Sequence, residues 1–584
     1  MSEYGSTLSS RKAAAIAAVL LTLIGMVRIA STYAVLSQAF DEPAHVACGM
    51  EWLDKGTYTL EPLHPPLARV AAAIGPFLEG LRLPQVAVIQ GWSYDIYSAG
   101  NNILYARGRY RLNLGLSRLG ILPFFPLAAL VVFCWARTLF GDWPAVVAVL
   151  TFTTLPPVLA YAGLAYTDFP LACFVAGSLF AFTRWLEVPS TQRSVFLGLV
   201  IGLAMLSKLT SLLFLPLCIL AIVVCKWWWS RHSVLTASRQ WRLRAATLGL
   251  ALLTTCFVTW AGYRFSIRLL SEVFENPVQD IAKLDGVPES LKHLVLRIVE
   301  INPPVPAPAL FKGIVADWQR NHSAPPSYLL GRTRRSGWWY FFVVDLAVKT
   351  PLPFLLLSIA GIVHVFGSVR SHRDWRILAP AVCALTILAS TMPVKVNIGI
   401  RHILVIYPLL AVVTAGAAKR LWEMRARWSR FAPIALSAIL VWQVVSTAQA
   451  HPDYLSYFNV FAGRKPEHVV FLGCDFDCGQ DILRLSETLR ARAAREVSLR
   501  VFTSADLSRM GLPSFRELAP YQPTPGWIAV SIRGIRTGNG LQDIIPPDGY
   551  SWLDSYRPVA NVGKTIRLYY ISEMDAKLGT LHKY

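Results

Sequence analysis

Apolar runs near 18 residues long, each closed by a basic or Pro/Gly-rich stretch, recur along the chain from residue 13 to residue 449. A helix of that length crosses the hydrocarbon core of a bilayer. The pattern predicts eleven spans. The first lies near 13–33, the second near 112–136, the third near 143–161 and the fourth near 169–186. The run Ser194–Trp229 is too long for one helix and divides at Ser207-Lys208 into two short spans. Span seven is near 245–264. Span eight begins at the aromatic belt Trp338-Trp339-Tyr340 and carries Asp345, Lys349, Pro351 and Pro353, which predict a break near its outer end. Span nine is near 377–392, span ten ends at Lys419-Arg420, and span eleven is near 431–449.

Two long loops interrupt the series, near 34–111 and near 265–337. In the first, Pro43–Asp54 reads as an amphipathic helix stopped by Gly56, with Val46, Met50 and Leu53 on one side. A second apolar helix starts at His64-Pro65-Pro66 and runs to about Leu81. Both suit helices lying in the membrane interface. The second loop is Pro-rich around Asn302–Pro308 and at Pro325-Pro326. From His451 the pattern changes to that of a soluble domain. Strands are predicted at 468–472, 498–502, 527–531 and 566–571, and an amphipathic helix at 481–494. The reading is therefore a transmembrane domain over 1–450 and a small α/β domain over 451–584.

Composition agrees, at 54% hydrophobic and 16% charged over 584 residues. The net charge of +21 would suit nucleic acid, but the basic residues fall in short loops between spans. That is the positive-inside pattern, and it argues against a nucleic-acid partner. About 18 Lys and Arg lie in the loops assigned inside. The N-terminus is then cytoplasmic, and both long loops and the tail lie outside. Arg11-Lys12 followed by Ala13–Tyr33 reads as a retained signal-anchor. Of nine cysteines only Cys48, Cys474 and Cys478 fall outside the spans.

On this topology the outer ends of the spans collect three acids, Asp41, Glu42 and Asp168. They also collect four cations, Lys208, Lys349, Lys395 and Arg401, with His402 beside the last. Ionisable groups at such depth are costly and tend to be functional. The competing reading is mundane. Asp41 and Glu42 precede Pro43 as acids precede any helix, and the cations anchor an interface. Outside the inner membrane no nucleotide sugar is at hand, so a transferase there needs a lipid-phosphate donor. Its leaving phosphate needs cations, and its acceptor hydroxyl needs a carboxylate base.

Phe40-Asp41-Glu42-Pro43-Ala44-His45 and Leu63-His64-Pro65-Pro66-Leu67-Ala68 resemble the first outer loop of bacterial glycosyltransferase family 39 proteins. These are relatives of the protein O-mannosyltransferases and lipid A aminoarabinose transferases, all with the GT-C fold. Similar stretches follow in order: Tyr166-Thr167-Asp168-Phe169-Pro170, Gly337-Trp338-Trp339-Tyr340, Lys349-Thr350-Pro351-Leu352-Pro353 and Asn397-Ile398-Gly399-Ile400-Arg401-His402. The tail adds Tyr454-Leu455-Ser456-Tyr457-Phe458-Asn459 and Asp477-Cys478-Gly479-Gln480-Asp481.

The resemblance implies a GT-C fold and an inverting glycosyltransferase of the bacterial inner membrane. Its donor would be a polyprenyl-phosphate sugar and its acceptor a glycan, lipid or protein hydroxyl. Asp41 would be the base, Glu42 its support or the acceptor's guide, and Asp168 the second acid. Arg401, His402, Lys208, Lys349 and Lys395 would bind the donor phosphate, and His45 and His64 would line the substrate pocket. No metal is obligatory in this reading, although a divalent ion at the acids would fit the superfamily. Relatives carry Trp and Ser where this chain has Cys478 and Cys474, so a disulfide, a metal site and free thiols are all open there. A transporter or lipid flippase is the alternative function, because broken spans and buried charge suit transport too. A non-catalytic assembly protein is a third.

Overall fold

A computed structural model describes residues 2–89, 93–229, 237–273, 289–322, 327–334, 336–372, 374–424, 431–464, 466–469, 474–537 and 549–576. The membrane part is a bundle of helices. In chain order they are α1 (Ser2–Ala30), α2 (Glu42–Asp54), α3 (Pro66–Leu78), α4 (Ile96–Leu104), α5 (Tyr110–Leu119), α6 (Phe124–Phe140), α7 (Asp142–Thr153), α8 (Pro156–Ala162), α9 (Asp168–Glu187) and α10 (Thr191–Ser207). They continue with α11 (Ser211–Trp229), α12 (Ala237–Gly262), α13 (Glu289–Ile301), α14 (Pro308–His322), α15 (Phe341–Lys349), α16 (Leu352–His372), α17 (Ala379–Thr391), α18 (Ile406–Glu423) and α19 (Phe431–Gln449).

Each of the eleven predicted spans is a helix or a bent helix pair. Among the described residues seven helical stretches, α5–α6 counted as one, are long and apolar enough to cross a membrane. The pair α7–α8, bent by 67°, makes eight. The other three are α10 and α17, which are shorter, and α18, which ends in Lys419, Arg420 and Glu423. α18 is buried from Ile406 to Ala418, a central helix wrapped by protein. α12 instead turns Leu252, Leu253 and Phe257 outward, as a lipid-facing helix must.

The breaks fall where the residues require them. Lys208 is extended between α10 and α11 (φ −162, ψ 142). Thr350 is extended between α15 and α16, as the residue before Pro351 should be. The first loop departs from expectation. α2 is buried from Glu42 to Glu51 instead of lying in the interface. It packs on α3 and α4. Gly49 permits the close approach, since a Cβ there would sit 1.9 Å from the Arg69 carbonyl oxygen.

The tail is built on a five-stranded sheet with strands β1 (Glu496–Arg500), β2 (Ser514–Glu517), β3 (Gly526–Ser531), β4 (Ala560–Val562) and β5 (Ile566–Ile571), in the order β4-β5-β3-β1-β2. β1 runs parallel to β2 and β3, while β5 is antiparallel to β3 and β4. A helix at Ile482–Ala491 precedes the sheet. Three predicted strands and the helix correspond to these elements. β2 and β4 escaped prediction because β2 is exposed along its length and β4 has three residues. Of the predicted strand at 468–472, residues 470–472 lie outside the described residues, and Pro466–His468 is a 3₁₀ turn.

The tail is seated on the membrane part by buried polar contacts. Ser37 N–H donates to the Gln480 carbonyl (2.9 Å), and Ser37 Oγ donates to Gly479 (2.9 Å) and accepts from Ile482 N–H (3.0 Å). Asn459 Nδ2 caps the end of α15 at Ala347 (2.6 Å) and Thr350 (2.7 Å). Phe40 stacks on Phe502 at 4.5 Å.

Candidate active site

Asp41 stands at the N-cap of α2, yet its side chain makes no capping hydrogen bond. A surface helix start would use it so. Here Arg401 Nη1 donates to Asp41 Oδ2 (3.0 Å), and the Tyr97 hydroxyl donates to Oδ1 (3.3 Å). The Asp41 side chain is 26% exposed, into a cavity. Burial works against its charge, but the Arg401 guanidinium outweighs burial and holds its pKa below the ordinary carboxylate value. The carboxylate is thus ionised.

The cavity encloses about 760 Å³, a size that suits a small-molecule site. Asp41, Asp168, Lys208, Arg401 and His402 share its wall, although they come from four separate stretches of chain. Asp168 begins α9, and Lys208 Nζ reaches it at 2.6 Å from the α10–α11 break. That bond uses one of three ammonium N–H groups. Arg401 also keeps capacity, because its buried Nε has no partner among the described residues. His402 stacks on Phe342, and burial with the nearby Lys208 pushes its pKa well below the usual value. It is a neutral ring.

His45 and His64 line the same cavity, with their rings 5.3 Å apart. Burial and then Arg69 depress both pKa values far below the ordinary histidine value. Arg69 Nε donates to His45 Nδ1 (3.2 Å), so the proton of the neutral His45 ring sits on Nε2. Arg69 is fixed in turn by the Glu61 carboxylate, the Glu61 carbonyl (2.7 Å) and the Tyr58 hydroxyl (3.1 Å).

Three expected site residues stand elsewhere. Glu42 is fully buried and meets Arg118 through two bonds (2.9 and 2.8 Å). It also accepts the Ala39 and Ala165 N–H groups (2.7 and 2.8 Å), so its lone pairs are occupied and it faces away from the cavity. Lys349 is buried among carbonyls, donating to Leu455 O (2.7 Å) and to the Asp475 carbonyl, with Phe458 against it. It ties α15 to the tail. Lys395 is exposed on the stretch between α17 and α18 and lies off the cavity wall. Neither lysine is placed to hold a donor phosphate. Cys474 and Cys478 are joined by a disulfide.

The sequence reading missed Tyr97 on α4, Arg69 on α3, and Asp317, Trp318, Arg320 and Asn321 on α14. Their signal was weak, since polar and aromatic residues in long loops are ordinary. Among the described residues no three His, Cys, Asp or Glu side chains group as a metal cage would.

Residues 124–261 match the family model described as dolichyl-phosphate-mannose-protein mannosyltransferase. The resemblance read from the short motifs is borne out over these residues, which carry α6 to α12. No curated protein has a matching sequence. Among solved structures the chain is similar to ArnT from Cupriavidus metallidurans bound to undecaprenyl phosphate, with 14% identity, TM-score 0.47, and 94% of this chain and 97% of that chain covered. It is similar to the Archaeoglobus fulgidus oligosaccharyltransferase in the apo form at 12% identity and TM-score 0.41, covering 89% of this chain and 70% of that one. The S. cerevisiae protein O-mannosyltransferase Pmt1-Pmt2 complex bound to the sugar donor is similar over 44% of this chain and 35% of that one, at 17% identity and TM-score 0.33. Likenesses this distant leave the chemistry to be read from the site.

Proposed function

We propose that this chain is a glycosyltransferase that moves a sugar from a polyprenyl-phosphate donor to an acceptor hydroxyl, with inversion at the sugar carbon. The carrying observation is an ionised, uncapped carboxylate, Asp41, held by Arg401 at 3.0 Å on the wall of a cavity that also contains Asp168 and Lys208. The family model matched by residues 124–261 supports a lipid-phosphate sugar as donor. The distribution of basic loops supports a periplasmic site in the bacterial inner membrane.

In the step itself Asp41 accepts the proton of the acceptor hydroxyl. The oxygen bonds to the anomeric carbon as the bond from that carbon to the phosphate oxygen breaks. The phosphate departs as an anion on its lipid, so no general acid is required. Its charge is met by the unused donors of Lys208 and Arg401 and by Arg320, which lines the cavity from α14. His45 offers its Nε2–H to a sugar or acceptor oxygen. These cations supply the charge neutralisation that a divalent metal would otherwise bring.

The test is Asp41→Asn in the full chain, reconstituted in nanodiscs and assayed with a panel of polyprenyl-phosphate sugars. The amide keeps the shape and removes the base. Transfer should fall about 10³-fold, within the range for loss of a general base, while melting is unchanged. Turnover near that of the wild type would refute the assignment. Mass spectrometry of envelope glycans, lipids and proteins from cells lacking the chain would identify the sugar and its acceptor.

A further inference from the structure

The tail loop Cys474–Asp481 enters the back of the site and touches both members of the Asp41–Arg401 pair through their neighbours. On one side Phe40 N–H donates to Cys478 Sγ (3.4 Å). The Tyr166 hydroxyl lies 3.3 Å from the same sulfur and accepts the Asp41 N–H (3.1 Å). On the other side Asp475, fully buried, accepts the Ile400 N–H with both oxygens (2.9 and 3.1 Å). Ile400 opens the 3₁₀ turn Ile400–Ile403 that carries Arg401. An N–H at the start of such a turn has no acceptor within it. Asp475 provides that acceptor from about 75 residues away.

The fit is close on both sides of this contact. Gly399 has φ +102, and a Cβ there would lie 2.1 Å from Asp475 Cγ. The carbonyl of Asp475 is gripped by Lys349, which is itself bonded to Leu455 (2.7 Å). A buried carboxyl is expensive unless hydrogen-bonded, and this one meets the turn that presents Arg401 and, from α15, the Asp345 carboxyl.

We propose that Asp475 is a positioning residue for sugar transfer: it fixes the turn that presents Arg401 to Asp41, which makes the tail domain a structural half of the active site. The inference rests on the proposed roles of Asp41 and Arg401.

Two arms test it on the full chain in nanodiscs. The first is a cryo-EM comparison of the wild type with Asp475→Ala, in which the 400–403 turn should move and Arg401 should leave Asp41. The second is the pH dependence of transfer. Asp41 is faced by Arg401, by Tyr97 from α4, by Tyr166, by His45 on its own helix, by Arg320 from α14 and by Arg533 from the tail. Without Arg401 the burial effect dominates, so the acid limb of the profile should move up by about one pH unit. Asp475→Asn keeps an acceptor for Ile400 and should overlay the wild type. In an Arg401→Ala background Asp475→Ala should cost nothing more. If Asp475→Ala does not fold, Gly399→Ala strains the same contact from the membrane side and should give the same shift. An unmoved Arg401–Asp41 contact, an unmoved acid limb, or an Asn variant as impaired as Ala would each overturn the proposal. A wild type that transfers no sugar would count against the proposed function, and the cryo-EM arm would then decide this inference alone.

Discussion

The cavity around Asp41 and the seam behind it, around Glu42 and Lys349, are built from the same kinds of residue. Each pairs carboxylates with cations. In the seam Glu42 and Lys349 are turned away from the cavity and spent on protein partners. Glu42 is closed by Arg118 and two backbone N–H groups, and Lys349 by two tail carbonyls. In the cavity the pairs are left incomplete. Arg401 Nε has no partner among the described residues, and Lys208 is bonded to one carboxylate oxygen. Saturated charge holds a fold together, while unsaturated charge facing a void is available to a ligand. Asp41 and Glu42 are neighbours in sequence and fall on opposite sides of that division.

The sharpest contrast between the two regions is Glu42→Ala against Asp41→Asn. Removing one partner of a buried ion pair costs about 3–5 kcal/mol. Glu42→Ala should therefore lower the melting temperature and the yield of folded protein, yet the molecules that fold should retain turnover. Asp41→Asn should show the reverse. Equal losses of turnover per folded molecule would erase the distinction.

Asp477 extends the comparison into the tail loop, where burial pushes its pKa up from 3.8 to about 6. An acid with a raised folded-state pKa is destabilising when ionised. The cost is absent below its unfolded pKa, grows between about 3.8 and 6, and is complete above that. Asp477→Asn should thus stabilise the chain at pH 7.5 by up to about 3 kcal/mol and leave it unchanged near pH 3.5, read as paired thermal melts. A gain of equal size at both values would mean that charge is not the cause.

Arg320 probes the cavity side. If the proposed donor is right, Arg320→Ala should weaken binding of a polyprenyl phosphate by about tenfold, or ~1.4 kcal/mol, measured by calorimetry. Unchanged affinity would place the phosphate away from α14. The smallest effect is expected at Lys395. Lys395→Ala should alter neither donor affinity nor turnover, and a measurable loss would return that lysine to the site.

Much of this was legible in the sequence. Apolar runs bounded by basic loops predicted the helices of the membrane part, and ionisable residues at span ends led to Asp41, Asp168, Lys208 and Arg401. The division between Asp41 and Glu42 was readable but overlooked. Adjacent helical residues point about 100° apart, so one face cannot hold both. Lys349 gave no such clue. Its partners, Leu455 and Asp475, lie 106 and 126 residues away. Burial of α2 was hidden for the same reason, because Gly49 against Arg69 and Glu42 against Arg118 are long-range facts. The loop residues Tyr97, Arg69 and Arg320 resembled any solvated side chains until the cavity gathered them.

The seating of the tail has a consequence for biosynthesis. Phe40 and Cys478 are 438 positions apart, and Ser37 and Ile482 are 445 apart. At ribosomal speeds of about 5–20 residues per second, the first acid waits roughly 20–90 s for the segment that braces it. A prematurely terminated product would hold its spans in the bilayer yet lack the loop that backs Asp41 and Arg401. On the proposed function, a half-made chain could then move no sugar before translation has finished.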